Sequence, residues 1–497
     1  MNTKRTIASW IAVAGMASLL VGCSGSEPSA NFDSLTVGVA SVPQVLDPGQ
    51  AYSRQDISIM GLASGTLTTL NDDGKGTSNG LADAIKETET DFTITLRPGL
   101  KFSDGTDLTS ADIVASFEHH LADATNAFAY KFAPIKSVTA KDDLTVMFNL
   151  KRAYPSLPWI LATPQAAIIP SEVIEARGEK LYETPVPTAG KFGIETVNPS
   201  EIKLTANPNY AGTKPTAKSI TFKKIADSAA RLAQVQGGEI DFADGVSPKV
   251  LSQLSAPLEA RTTVGVNGIQ TLSLNELGVL GDVNIRQAIA RAINREQINK
   301  VAWAGMNVPA LGLFAPSSQY SRPFLPATPE LDSAKRYLAG TKCETGCTLQ
   351  LIVDSTDEPS NDIAVVLQQN LKEIGITMNI NKMETAAMVQ RSNDADFDIL
   401  VAFTYENGDF PDALLPFQLG PALQGFYTGY SSPKMNELLD QLGTTRDEAR
   451  AEVVDQINTL FEQDLSLVPI AANLSSSASR VPSNIFDISP SFAYIVG

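Results

Sequence analysis

The sequence predicts an α/β protein built from more than one domain. Residues 349–353 and 376–380 have the apolar composition of buried strands, and the helical pattern of residues 363–374 lies between them. A strand, a helix and a strand in this order indicate a mostly parallel sheet covered by helices. The chain has 497 residues. Because single cores stop growing at roughly 250 to 300 residues, two or three domains are expected.

The composition and charge of the chain make several classes of function unexpected. Acidic residues outnumber basic ones by 55 to 38, which gives a net charge of -17. Nucleic acid is therefore not expected as a partner, because binding phosphates requires a basic surface.

The two histidines, His119 and His120, are neighbours on a predicted helix, where adjacent side chains point apart. We expect no metal site and no cofactor. No Gly-x-Ser-x-Gly motif occurs, so we also expect no enzyme.

The N-terminus has the pattern of an export signal. Lys4 and Arg5 precede an apolar stretch, residues 7–21, that is short for a membrane span. The motif LVGC at residues 20–23 resembles a bacterial lipobox, which implies a lipoprotein signal peptide over residues 1–22 and a lipidated Cys23. Residues 23–33 would be a flexible tether, and the protein would be lipid-anchored on the extracytoplasmic face of a bacterial cell membrane. An ordinary secretory peptide with an incidental cysteine is the alternative.

Residues 92–121 combine three local signals. Phe92, Ile94 and Leu96 alternate with polar residues, which predicts a half-buried strand. Pro98 and Gly99 then form a turn signal, and residues 101–103 are expected to be a second strand. Thr109 and Asp112 have the spacing of a capping box at the start of an amphipathic helix. The unit is therefore predicted to be a hairpin followed by a helix.

The residue order here also indicates a family. Residues 96–117, LRPGLKFSDGTDLTSADIVASF, resemble the signature of the peptide/nickel-type (family 5) extracytoplasmic solute-binding proteins of ABC importers. Residues 229–241, AARLAQVQGGEID, and 285–295, IRQAIARAINR, match two further blocks of that family, whereas PTAGKF at residues 187–192 is a degenerate version of its GTGPY turn. We expect Arg286, Arg291 and Arg295 to be surface charges rather than ligand contacts.

The resemblance implies a two-lobed α/β fold, of the type II periplasmic-binding-protein (Venus-flytrap) class, with an extra α+β domain inserted in the first lobe. Two crossings between the lobes, near residues 265–275 and 465–475, would act as a hinge. The segments predicted from the sequence are 34–55, 186–266 and 470–497 for the first lobe, 56–185 for the inserted domain, and 267–469 for the second lobe.

The resemblance places the ligand site in YENGDFPD, residues 405–412, after the strand at residues 397–403. Asp409 matches the carboxylate that pairs with a peptide's α-ammonium group, and Tyr405 and Phe410 would be apolar walls or core. The other predicted contacts are Asn407 and Gly408 in this loop, Val45 and Leu46 in the turn after the first strand, and Asp357 and Glu358 after the strand at residues 349–353. The alternative is that Asp409 and Asp412 only cap a turn before a helix.

One departure from the family bears on the ligand. Dipeptide-specific members carry an arginine after the strand that corresponds to residues 349–353, whereas this chain has DSTDEP, including Asp357 and Glu358. Acidic residues there disfavour strict dipeptide recognition and favour longer peptides or a cationic ligand.

Cys343 and Cys347 enclose a short loop that contains a glycine. Outside the cytoplasm such a pair is expected to form a disulfide, which stabilises little because the closed loop is short.

The sequence therefore predicts a monomeric lipoprotein that captures extracellular peptides, oligopeptides rather than dipeptides, by lobe closure. It would deliver them to ABC permease subunits with their ATPases, and the lipid anchor would be its only contact with the membrane. Three alternatives stay open: a receptor for another small solute, such as a nickel chelate, a sugar or a cationic compound; a sensory lipoprotein; and a peptidase.

Overall fold

The computed structural model describes residues 32–51, 53–123, 126, 128–254, 256, 258–404, 408–420 and 428–497. The predicted signal peptide, Cys23 and most of the tether lie outside these ranges, as do Tyr405 and Asn407 of the predicted ligand loop. Among the described residues, no helix combines the length and the apolar composition needed to cross a membrane.

The strands of the described residues, in chain order, are β1 Ser34–Val39, β2 Thr68–Leu70, β3 Thr77–Asn79, β4 Ala82–Glu87, β5 Asp91–Leu96, β6 Ile135–Asp142, β7 Thr145–Leu150, β8 Phe192–Asn198, β9 Glu201–Ala206, β10 Ser219–Lys224, β11 Phe242–Asp244, β12 Glu259–Leu274, β13 Cys347–Asp354, β14 Ile376–Met383, β15 Ile399–Phe403, β16 Leu467–Ser479, β17 Phe486–Ile488 and β18 Tyr494–Val496.

The α-helices of the described residues are α1 Arg54–Ala63, α2 Ser110–Ala122, α3 Ala129–Phe132, α4 Leu157–Ile160, α5 Ser171–Arg177, α6 Ser228–Gly237, α7 Pro248–Leu251, α8 Val283–Ala292, α9 Arg295–Trp303, α10 Leu331–Leu338, α11 Glu358–Lys372, α12 Thr385–Asn393, α13 Pro411–Leu419, α14 Pro433–Leu442 and α15 Asp447–Asp464.

A ten-stranded sheet runs through the molecule in the order β14-β13-β15-β12-β16-β11-β1-β10-β9-β8. The predicted β-α-β succession is confirmed, because β13 pairs in parallel with both β14 and β15. The expectation of a mostly parallel sheet is wrong. The long strands β12 and β16 pair antiparallel with each other, and β8, β9 and β10 form antiparallel pairs through short connections.

The three largest hydrophobic cores among the described residues divide the structure. One core, with Val37, Phe222 and Phe486, lies at the β8 end of the long sheet. We call β1, β8–β11, β17, β18, α1, α6 and α7 the first lobe. A second core lies at the β14 end, and we call β13–β15 and α8–α15 the second lobe. A third core packs on the four-stranded sheet β4-β5-β7-β6, and we call β2–β7 and α2–α5 the inserted region. The segment boundaries given from the sequence stay a prediction.

The unit at residues 92–121 is confirmed in part. Gly99 has φ +73°, as the predicted turn requires, and the Asp112 carboxylate accepts the Thr109 N–H at 2.8 Å in the predicted capping box. The predicted second strand of the hairpin is wrong. β5 pairs with β4 and β7, and Lys101 forms only an isolated bridge with Asp107, because two longer strands of the inserted region occupy both edges of β5.

Two of the three arginines expected on the surface are buried. Arg295 is 1% exposed, and its guanidinium donates to the carbonyls of Pro469 at 2.9 Å, Pro326 at 2.9 Å and Ala290 at 3.1 Å. Arg286 is also buried and donates to backbone carbonyls at the end of α15. The expectation of surface positions is wrong for these two arginines, because partners such as Pro469 and Asp464 are far away in the sequence.

Replacing Arg295 with leucine is expected to lower the free energy of unfolding by about 3 kcal/mol, because three buried carbonyls would lose their donor. The matched control is Arg291→Leu, which removes a half-buried guanidinium 4.8 Å from the centre of the Tyr337 ring. That contact is worth about 1 kcal/mol or less. Urea unfolding followed by circular dichroism measures both variants, and equal losses would contradict a structural role for Arg295.

Candidate functional site

A cavity of about 590 Å³ lies between the two lobes and the inserted region. Its size is in the range of small-molecule binding sites. Residues from α1, the inserted region, the second lobe and the two crossing strands line it together: Ser53, Arg54, Gln55, Ile57, Phe128, Tyr130, Lys131, Gln165, Gln270, Trp303, Asp357, Pro359, Phe403, Thr404, Leu414, Ala472, Asn473, Leu474 and Phe492.

The cavity wall from the inserted region is aromatic and cationic. The Lys131 ammonium lies 5.1 Å from the ring centres of both Phe128 and Trp159, within cation–π distance. On the side of the crossing strands, Phe403 is 61% exposed at the end of β15. An exposed aromatic ring of this kind supplies an apolar surface that a ligand can cover.

The α1 side of the cavity is fixed by a buried ion pair. Arg54 binds both carboxylate oxygens of Asp244 at 2.7 Å, and the Tyr494 hydroxyl donates to the same carboxylate at 2.7 Å. Asp244 is fully buried, so the pair is desolvated and hydrogen-bonded. The geometry holds the first turn of α1 at the cavity wall.

Two glutamine residues, Gln165 and Gln270, line the cavity. The Oε1 atoms of Gln165 and Gln270 are buried, and neither has a hydrogen-bond partner among the described residues. Gln165 is only 2% exposed. Leaving a buried acceptor unpaired costs about 1 to 3 kcal/mol. Because neither Oε1 atom is exposed to the cavity, a ligand N–H donor would recover that energy only if the glutamine side chain turned toward it.

Asp357 lines the cavity at the N-cap of α11, and its carboxylate accepts a hydrogen bond from the Ser360 hydroxyl. Burial raises the pKa of Asp357, the hydrogen bond from Ser360 opposes that rise, and the nearby charge of Asp354 adds to it. A cationic group of a ligand would favour the ionised carboxylate.

Glu358 does not line the cavity but connects the lobes beside it. Its carboxylate lies 3.2 Å from the ammonium of Lys249 in α7 and accepts the Ser247 hydroxyl at 3.2 Å. Asp362 also binds Lys249. We call Lys249, Glu358 and Asp362 the interlobe ion cluster. The contact joins the first lobe to the second at the edge of the cavity.

Asp409 is 3% exposed and is not among the residues that line the cavity. Its carboxylate accepts the Ser318 hydroxyl at 2.6 Å and the Gln319 N–H at 2.8 Å, and its own N–H donates to the Gly74 carbonyl at 2.9 Å. Burial raises the pKa of Asp409, while these hydrogen bonds and the charge of Lys75 oppose the rise. The side chain makes no capping hydrogen bond to α13.

The rest of the described loop joins the second lobe to the inserted region. Phe410 stacks on Trp159 with ring centres 4.7 Å apart. Asp412 binds Ser156 of the inserted region and Arg450 of α15. Gly408 is required because a Cβ atom there would lie 2.9 Å from the Gly74 carbonyl oxygen. The loop is therefore held on one side of the cavity.

The structure places Val45 and Leu46 elsewhere. Leu46 packs in the core of the first lobe, and Val45 is 47% exposed. Neither lines the cavity between the lobes, so a ligand role for them stays a prediction. No sequence pattern indicated Gln165, Gln270, Lys131 or Arg54, because isolated polar residues of these types carry no motif. Cys343 and Cys347 form a disulfide next to β13, apart from the cavity lining.

Reversing the charge of Lys249 is expected to favour the open form of the protein. Lys249→Glu would repel Glu358 and Asp362, and since the cluster is partly exposed to solvent, about 1 kcal/mol or roughly fivefold in the closed-to-open ratio is expected. Small-angle X-ray scattering at low salt would show this as a larger radius of gyration.

The control for this variant is Lys223→Glu, which makes the same charge change at an exposed position of the first lobe. The triple variant Lys249→Glu, Glu358→Lys, Asp362→Lys should restore the wild-type radius by exchanging the signs. An unchanged radius in Lys249→Glu would show that the interlobe ion cluster does not stabilise closure.

Comparisons with known proteins agree with this architecture. The family model for bacterial extracellular solute-binding proteins, family 5 (Middle), matches residues 77–425. A glutathione-binding protein GsiB from Salmonella typhi is 26% identical over 494 residues, covering 94% of each chain.

Solved structures show the same fold at low identity. NikA from Brucella suis in complex with Fe(III)-EDTA has a TM-score of 0.82 at 21% identity, with 92% of this chain and 96% of that chain covered. DppA from Helicobacter pylori in complex with the peptide STSA has a TM-score of 0.78 at 22% identity, with 93% and 98% covered. The two-lobed α/β fold predicted from the sequence is confirmed.

Proposed function

We propose, starting from the fact that this chain belongs to family 5 of the bacterial extracellular solute-binding proteins, that it captures short extracellular peptides between its lobes and delivers them to an ABC permease. The composition of the interlobe cavity carries the proposal. Two glutamine residues, aromatic walls and a carboxylate surround one space of about 590 Å³. A peptide presents the complementary groups: main-chain N–H donors, apolar side chains and an ammonium.

Main-chain recognition would make binding tolerant of ligand sequence. The buried Oε1 atoms of Gln165 and Gln270 would accept N–H groups that every peptide has, whatever its side chains. Phe403 and Trp303 would cover side chains of varied size. We expect oligopeptides rather than dipeptides, because Asp357 provides a negative charge where a dipeptide's carboxylate would require a cation.

Closure would couple capture to transport. A ligand that touches Gln165 in the inserted region and Asp357 in the second lobe gains both contacts only when the lobes are together, so it shifts the equilibrium toward the closed form. The closed, loaded form would then dock on permease subunits, whose ATPases drive import. A lipid on Cys23 would keep the receptor at the membrane surface.

Asp409 would bind the peptide's α-ammonium group. Each carboxylate oxygen can accept two hydrogen bonds, and the described contacts from Ser318 and Gln319 use one on each. No cation pairs with Asp409 at ion-pair distance among the described residues. A buried carboxylate with neutral donors only is therefore positioned to gain from a ligand's positive charge.

Replacing Asp409 with asparagine is expected to weaken binding of the tetrapeptide Ser-Thr-Ser-Ala by about tenfold or more, since a hydrogen bond to a charged group contributes about 1.5 to 3 kcal/mol. Binding of the N-acetylated tetrapeptide should change little. Isothermal titration calorimetry measures both. The control is Ser318→Ala, which removes one donor but keeps the Asp409 charge, so the preference for the free-amine peptide over the N-acetylated one should remain. If Asp409→Asn lowered the affinity for both peptides equally, Asp409 would not be the residue that binds the α-ammonium group.

A cationic solute is the second candidate ligand. The observation that favours it is Asp357, a half-buried carboxylate on the cavity wall whose ionised form a bound cation would stabilise. The volume of the cavity is compatible with a small organic cation or a metal chelate.

The identity of the bound material tests the proposed function directly. The protein lacking residues 1–23 would be purified from cells grown in rich medium, examined by native mass spectrometry, and denatured to release its ligand. We expect a heterogeneous set of peptides. A single small species or a metal chelate would exclude the peptide assignment and leave the second candidate.

A further inference from the structure

A second cavity, of about 340 Å³, lies on the other side of α1. It lies between the first lobe and the inserted region, and Ile57 of α1 lines both this cavity and the one between the lobes. Ser58, Gly61 and Leu62 continue the wall along α1.

Two half-buried cations line the second cavity, Arg97 from the inserted region and Lys191 from the first lobe. The Lys191 ammonium donates to the Val496 carbonyl at 2.7 Å. The Arg97 guanidinium donates to the carbonyls of Asn79 at 3.0 Å and Ala82 at 3.4 Å. Among the described residues, neither cation has a carboxylate within ion-pair distance.

Burial leaves Lys191 without full compensation of its charge. Burial lowers the pKa of Lys191, and the charge of Asp72 opposes that shift. Asp72 is the one acidic residue among those that line the cavity, and it is exposed to solvent. Two cations face this space in a chain whose net charge is -17, so the local charge is opposite to that of the molecule.

A phenol lines the same cavity as the two cations. Burial raises the pKa of Tyr210, and the charge of Arg97 opposes the rise. Both residues line the cavity. A neutral O–H donor and two cations around one cavity form a set of groups suited to the oxygen atoms of a carboxylate or a phosphate.

We propose that this second cavity binds a small anionic solute, a carboxylate or a phosphate, through Lys191, Arg97 and Tyr210. The volume, about 340 Å³, is at the lower end of the range for ligand sites and suits a compact anion rather than a second peptide. Arg97 would bind two oxygens through its planar guanidinium, and Lys191 would act as a point charge from the opposite wall.

The test is isothermal titration of citrate and, in a separate arm, of inorganic phosphate into the full chain. We expect one anion per chain in at least one arm, and the arm that binds identifies the source of the anion as carboxylate or phosphate. Lys191→Met and Arg97→Met should each weaken that binding at least tenfold. Lys191→Arg should retain most of it because the charge remains. The control is Lys223→Met, which removes an exposed lysine of the same lobe and should leave affinity unchanged.

A variant that keeps both cations but fills the cavity tests whether a loss of anion binding could come from misfolding instead. A Cβ atom at Gly61 would meet nothing closer than the Pro164 ring at 3.6 Å, so Gly61→Phe is expected to fold and to fill the cavity. It should abolish anion binding. Failure of both anions to bind the wild-type chain, or unchanged binding in the two methionine variants or in Gly61→Phe, would overturn the proposal. Binding of Ser-Thr-Ser-Ala, measured in parallel, tests the proposed peptide function separately.

Discussion

The antiparallel pair of β12 and β16 constrains everything else in this structure. Both strands run from one lobe to the other, and their ladder extends from Glu259 opposite Ser479 to Ser273 opposite Leu467. The register shifts between Val264 and Ile269, and Gly268 in that interval has φ +92°, a conformation that favours glycine. The same strands supply the floor of the interlobe cavity. A bend at this irregularity would therefore change the hinge angle and the shape of the site together.

Helix α1 links the two cavities because its faces have different surroundings. Its first turn is held by the Arg54–Asp244 ion pair, and Ile57 borders both spaces. A fully buried carboxylate such as Asp244 is tolerated only with strong partners, and Arg54 and the Tyr494 hydroxyl provide them. This fixes the helix against the first lobe. The lobe that carries α1 can then move relative to the second lobe while the walls supplied by α1 keep their positions.

The local parts of this fold could be predicted from the sequence, and the long-range contacts could not. The capping box of Thr109 and Asp112 and the turn at Gly99 depend on residues a few positions apart, so their patterns were readable. The two-lobed class followed from family motifs. The burial of Arg295 depends on carbonyls as distant as Pro469, and the placement of Asp409 depends on Ser318 and Gly74. Gln165 and Gln270 line the same cavity only because two separate segments of the chain border it.

Ligand capture and lobe closure would depend on the same charged residues, because these residues face each other across the cleft. In the second lobe, Glu358 obtains Lys249 as a partner only when the first lobe is close, and Asp357 beside it has no cation of its own at ion-pair distance among the described residues. A ligand cation would pair with the Asp357 carboxylate, as the Lys249 ammonium pairs with the Glu358 carboxylate. Both contacts reduce the repulsion between neighbouring carboxylates of the same lobe, and both require the lobes to be together. Ligand binding would therefore add to an attraction that the empty protein already has, and the ligand has to provide only the remaining free energy of closure.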